Sequence, residues 1–73
     1  KRELEQRLVE MQHDHTDAVI CSTHVHLDHD HCLEVIILRG KAREIRAIAE
    51  RLVGTKGVKH GRLTCTTTGR SLA

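Results

Sequence analysis

Phenylalanine, tyrosine and tryptophan are all missing from this 73-residue chain, and so is proline. The interior must therefore be assembled from Leu, Ile, Val, Ala and Cys. One domain at most fits in such a length, near the size where folding hides only about 60% of the chain's surface. A core that small supplies roughly 3–5 kcal/mol and ordinarily needs a staple, either a metal ion or a second chain. No run approaches the ~18 apolar residues of a membrane helix, and no signal peptide is visible. There is no glycine-rich phosphate loop and no nucleophile with a base beside it, which argues against an enzyme and against a small-molecule substrate. A dominant charge is lacking too. The net charge is +2 with histidines neutral, and Arg39, Lys41, Arg43, Arg46, Arg51 and Arg62 are scattered among Glu3, Glu5, Glu10, Glu44 and Glu50. Such a mixture solvates helix faces and forms no phosphate track, so DNA binding by these residues alone is not indicated. Cysteine is scarce and odd in number. Cys21, Cys32 and Cys65 make a poor disulfide framework and suit a reducing, cytosolic setting. Cys21 and Cys65 fall in strand-like alternation and are expected to be small core side chains.

What the chain does have is clear periodicity. From Lys1 to about Gln12, Leu4, Leu8 and Met11 recur at helical spacing with charges between them. His13-Asp14-His15-Thr16-Asp17 breaks that pattern, because Asp and Thr compete with helical hydrogen bonding. Ala18 to Leu27 reads as a strand, Asp28 to His31 as a polar turn without the usual Asn-Gly signal. Leu33 to Leu38 is almost continuously apolar, as in a strand covered on both faces. Lys41 to Leu52 is the clearest helix, with Ala42, Ile45, Ile48, Ala49 and Leu52 on one face and Gly54 as its stop. Gly57 to Gly61 is a loop, His60 included. Arg62 to Thr67 returns as a strand, and Arg70 to Ala73 is expected to fray.

The order is α-β-β-α-β. This is the α+β, ferredoxin-like βαββαβ unit lacking its first strand. An unpaired sheet edge would result, so a fourth strand is expected upstream of Lys1, which is not an initiator methionine, or from another subunit.

The chemistry concentrates between Thr23 and Glu34, where four histidines, one thiol and three carboxylates share twelve residues. Alternation along a strand puts His24 and His26 on one face, roughly 6.5–7 Å apart. The turn after them folds Cys32 back toward both. Imidazole with thiolate is a ligand set for borderline-soft transition metals, not for magnesium or calcium. The duller reading, two polar residues on an open strand face with Cys32 as core, is weaker because Cys32 follows a turn and does not lie inside the apolar run. His13 and His15 both compete for a fourth position, in cis or from another chain. His15, His29 and His31 are accessory metal candidates, and for the last two plain solvation fits equally well. Three nitrogens and one sulfur suit zinc when tetrahedral, nickel(II) or copper(II) when planar. Four side-chain ligands leave no position for substrate, which again points away from catalysis.

Gln12-His13, His24-Val25-His26, Cys32-Leu33-Glu34 and Gly57-Val58-Lys59-His60-Gly61 together resemble the C-terminal domain of the nickel-responsive transcriptional regulators (NikR), across nearly the whole chain. The resemblance implies an ACT-like ferredoxin fold that forms a homotetramer. It also implies Ni(2+) held in a plane by His24, His26 and Cys32 of one subunit and His13 from a neighbouring subunit. Gln12 and Glu34 would orient the imidazoles. A metal-dependent repressor of nickel uptake would follow, with residues 1–73 as its sensing and tetramerisation domain and DNA contacted only through a ribbon-helix-helix domain upstream. The competing expectation is a structural zinc- or copper-binding interaction module with no sensing role.

Overall fold

A computed structural model describes residues 2–69 of the chain. Four elements follow in order: α1 (Arg2–His13), β1 (Val19–His26), β2 (Cys32–Leu38) and α2 (Ala42–Val53). This is the expected small α+β arrangement, consistent with a ferredoxin-like, ACT-like unit short of its first strand. The anticipated fraying of Arg70 to Ala73 lies outside the described residues.

α2 carries what core there is. Its apolar stripe buries Ile48, Ala49 and Leu52, while Ile45 is half-buried and Ala42, at the helix start, is exposed. The helix stops where expected, although Gly54 stays right-handed, with φ −80°. Thr55 does the closing: its Oγ1 donates to the Arg51 carbonyl at 2.8 Å, and its N–H donates to Leu52 at 3.2 Å. Those bonds satisfy carbonyls that the helix end orphans. α1 is amphipathic in the same sense, with Leu4, Leu8 and Met11 half-buried and its charged face in water.

β1 and β2 form an antiparallel two-stranded sheet, with Ser22 opposite Ile36, His24 opposite Glu34 and His26 opposite Cys32. Directly opposed residues share a face. One face therefore carries Ile36, Glu34, His24, His26 and Cys32, and Ile36 and Leu38 meet Leu8 of α1 and Ala49 and Leu52 of α2 across a shallow trough. The other face carries Cys21, Thr23, Val25, Leu33, Val35 and Ile37. A register shift between Val19 and Cys21 bulges the chain at Ile20.

Three expectations change here. β2 is covered on one face only: Leu33, Val35 and Ile37 are 45–49% exposed. Cys21 is not a core residue, because it stands on that open face opposite Ile37. Cys65 is exposed as well, and the strand expected over Arg62 to Thr67 has no sheet partner among the described residues. A strand is defined by its ladder, and β-like composition cannot supply a neighbour. The segment instead packs beside α2, with Gly61, Arg62 and Leu63 lining the trough opposite Glu34, Ile36 and Leu38 of β2.

Two glycines make that path feasible. Gly57 has φ +106°, outside the range comfortable for side chains, and a Cβ there would come 3.2 Å from Leu4 Cδ2. A Cβ at Gly61 would fall 2.5 Å from Val53 Cγ2, so the backbone lies directly on that side chain.

The packing is sparse for the chain's length. The radius of gyration is 13.3 Å, against about 11 Å for a compact domain of this size. Among the described residues no helix is long and apolar enough to cross a membrane.

Candidate metal centre

The site begins with the hairpin. Leu27 N–H and Asp28 N–H both donate to the His31 carbonyl, at 2.9 and 3.2 Å, closing the loop between the strands. The Asp28 carboxylate organises its interior, accepting from Asp30 N–H at 2.9 Å and from His31 Nδ1 at 2.8 Å. This is the side-chain turn by which Asp replaces the missing Asn-Gly signal. Its effect is to make Cys32 the first residue of β2, directly opposite His26, the last of β1.

Cys32 Sγ is consequently 3.5 Å from His26 Nδ1. The rings of His24 and His26 meet edge to face, with centroids 4.9 Å apart and planes at 72°. One ligand atom from each of His24, His26 and Cys32 lies within 4.8 Å of the other two, and theirs is the one such cluster of three or more among the described residues. The rings approach more closely than the strand repeat alone suggested, because they tilt together.

Glu34 fixes the orientation of His24. Its Oε1 is 2.8 Å from His24 Nδ1 across the ladder. A carboxylate only accepts, so Nδ1 carries the proton and Nε2 presents a lone pair. A carboxylate behind the ligating ring is the usual partner of a metal-bound histidine. Both groups are partly withdrawn from water, at 29% and 20% side-chain exposure. Sequence reasoning missed one neighbour: Glu5 of α1 places Oε2 3.5 Å from His24 Nε2. Nothing in the charged face of an amphipathic helix singles Glu5 out.

The remaining histidines are not gathered with these three. His13 is exposed at the end of α1, beside a shallow concavity with Val9, Glu10 and Asp14. His15 Nε2 accepts from Arg51 of α2 at 3.2 Å. His29 is almost fully exposed, 3.9 Å from Asp30, and His31 is held by Asp28. His60 is exposed in its loop. Gln12 is half-buried, and its Nε2 is buried without a hydrogen-bond partner.

Two imidazoles and a thiol at these separations, with a carboxylate behind one ring, fit a transition-metal ion. The class these features describe is a small α+β domain with a candidate His-His-Cys metal site. Comparison with known proteins makes it specific. Residues 1–66 match the NikR C terminal nickel binding domain, and the chain belongs to that family. It is 56% identical over 72 residues to a nickel-responsive regulator of Nitratidesulfovibrio vulgaris (strain DSM 19637 / Miyazaki F), covering 99% of this chain and 52% of the relative. Similar proteins from Geobacter sulfurreducens and Thermococcus onnurineus, described in the same words, are 58% and 57% identical over 97% and 89% of this chain. These alignments cover 51% and 47% of those proteins, so the chain spans about half the length of the relatives it matches. Nickel(II) is the metal of the family, which is one of regulators and not of enzymes.

Proposed function

We propose that residues 1–73 form the nickel-sensing and tetramerisation domain of a metal-dependent, cytoplasmic repressor of nickel uptake. The observation that carries this reading is the convergence of His24, His26 and Cys32 within 4.8 Å, backed by Glu34 at 2.8 Å from His24. Three ligands from one subunit leave a fourth to be found. His13 is the proposed donor, from a neighbouring subunit, since it stands exposed and apart from the other three in its own chain. Gln12, next to it, is half-buried, and its amide oxygen can accept from the free ring N–H of a metal-bound imidazole.

Homotetramer formation is supported by what the fold leaves uncovered. Leu33, Val35, Ile37 and Val25 make an open apolar face, and only Ile48, Ala49 and Leu52 are buried among the described residues. Fully burying one further Leu, Ile or Val contributes about 1.5–3 kcal/mol, so covering that face would repair a thin core. A ribbon-helix-helix domain upstream, joined through the first strand of the sheet, would contact DNA. His15, His29 and His31 serve at most as accessory sites.

The nickel ion supplies a common centre for ligands from two subunits. The protein's part is to bind α1 of one subunit to the sheet of another through His13. Metal binding and ordered assembly then become one equilibrium, worth about 4 kcal/mol at a thousandfold excess of ion over Kd. Nickel titration of the wild-type chain and of His13→Ala, followed by sedimentation, tests this. Affinity and assembly should fall together in the variant; unchanged assembly would overturn a ligand donated between subunits. Tight zinc that nickel cannot displace would favour the structural module instead.

A further inference from the structure

His15 stands just past the proposed donor His13, where three elements meet. Its N–H donates to the Gln12 carbonyl at 3.0 Å, closing the end of α1. Its own carbonyl accepts from Ala18 N–H and Val19 N–H, both at 3.0 Å, at the entry to β1. The Ala18 carbonyl accepts in turn from the N–H of Arg39, just past β2, at 2.8 Å. Backbone bonds thus fasten this turn to the sheet. Its link to α2 is of another kind: the guanidinium of Arg51, which can only donate, reaches His15 Nε2 at 3.2 Å across 36 residues of sequence.

The two ends of that link differ in firmness. Arg51 lies in the last turn of α2, beside the buried Ile48, Ala49 and Leu52, and its carbonyl is taken by Thr55 Oγ1 at 2.8 Å. α1 is held more loosely. Leu4, Leu8 and Met11 are half-buried at best, and a helix of 12 residues is marginal in water without packing. The direction of its last turn therefore depends on what is fastened to its C-terminal end. Of the two histidines that compete in the sequence for the fourth ligand position, His15 is engaged by Arg51 and His13 is exposed.

We propose that Arg51 is a positioning residue for the nickel centre: by holding His15 against α2, it sets the direction in which His13 leaves the subunit toward its neighbour. The proposal rests on the reading of His13 as a ligand donated between subunits. Arg51 is exposed and His15 half-buried, so their bond adds little to the stability of the metal-free subunit. Its value is orientation, because a ligand already held in place loses less freedom when the metal arrives.

Nickel affinity, from chelator competition, and the urea midpoint of the metal-free chain are measured side by side. The 73-residue chain is compared with Arg51→Ala, Arg51→Lys, His15→Ala, His13→Ala and the double variant His13→Ala/Arg51→Ala. Arg51→Ala and His15→Ala should each lose about tenfold in nickel affinity, as removal of an outer partner does, with the urea midpoint unchanged. Arg51→Lys, which keeps a cationic donor, should recover part of that loss. In the His13→Ala background, Arg51→Ala should cost less than about twofold, because the ligand it positions is gone. Wild-type nickel affinity in both Arg51→Ala and His15→Ala would overturn the proposal. So would an undiminished loss in the His13→Ala background, which would make Arg51 a support for the fold alone. The underlying reading is judged on His13→Ala by itself: wild-type nickel binding there would refute the donated ligand, whatever Arg51 does.

Discussion

His26 and Cys32 face each other across the last rung of the β1–β2 ladder, with Nδ1 and Sγ 3.5 Å apart. The hairpin turn thus sets the thiol's position, and the thiol's role follows from it. Replacing Cys32 with Ser should remove the near-ultraviolet sulfur-to-nickel band and weaken nickel binding by well over about tenfold, since a hydroxyl is a poor ligand for a borderline-soft ion. The absence of aromatic residues leaves that spectral region clear. A variant that keeps both band and affinity would show that the sulfur is not a ligand.

In the proposed site Glu34 would act on the metal through His24, whose Nδ1 it contacts at 2.8 Å. Glu34→Gln keeps the size of the side chain but presents a neutral acceptor, or an amide donor that opposes Nδ1–H. Nickel affinity should drop about 10–100-fold, the range found when the partner behind a ligating histidine is removed. Far-UV circular dichroism should be unchanged, because the side chain is partly exposed at the sheet surface. Chelator competition measures the first effect; a loss of helical signal would mean that Glu34 supports the fold instead.

Much of this was legible from local pattern. Ile45, Ile48, Ala49 and Leu52 announce α2 because a helix satisfies its own backbone and its stripe needs only one partner surface. His24, His26 and Cys32 could be paired from strand alternation and a short turn, both local. The losses are all nonlocal. Cys21 and Ile37 read as core, yet whether an apolar sheet face is buried depends on a covering layer that α1 and α2 provide on one side only. Arg62 to Thr67 has strand composition, but pairing requires an adjacent edge that composition cannot specify. Glu5 gave no signal, because its proximity to His24 depends on how α1 settles over the sheet.

The open face carrying Val25, Leu33, Val35 and Ile37 provides a direct test of assembly. Val35 is 45% exposed and lies opposite Thr23. Val35→Lys should be tolerated by an isolated subunit, within about 0.5 kcal/mol as for surface substitutions generally. In an assembly that buries this face it would place an unpaired charge at the interface, which the assembly cannot accommodate. Sedimentation should show a smaller species with the cluster's metal affinity retained in part. An unaltered oligomer would move the interface elsewhere.

The path of the chain after α2 can be checked through Gly61 and Val53. A Cβ added at Gly61 would stand 2.5 Å from Val53 Cγ2 and 3.2 Å from both Val53 Cβ and Cγ1. No backbone strain enters, because Gly61 does not have a positive φ; the conflict is steric alone. Val53 is β-branched, so χ1 rotation offers little relief. Gly61→Ala should therefore cost about 1–3 kcal/mol, as overpacking typically does. Val53→Ala removes the colliding methyls, and at 41% exposure that change alone should cost under about 1 kcal/mol. The double variant should recover most of the loss, giving a coupling of about 0.5–3 kcal/mol between residues in direct contact. Urea unfolding followed by far-UV circular dichroism measures all three, since no tryptophan is present to report. If Gly61→Ala is as stable as the parent, the segment does not lie on α2. The trough between it and β2 would then lose its outer wall.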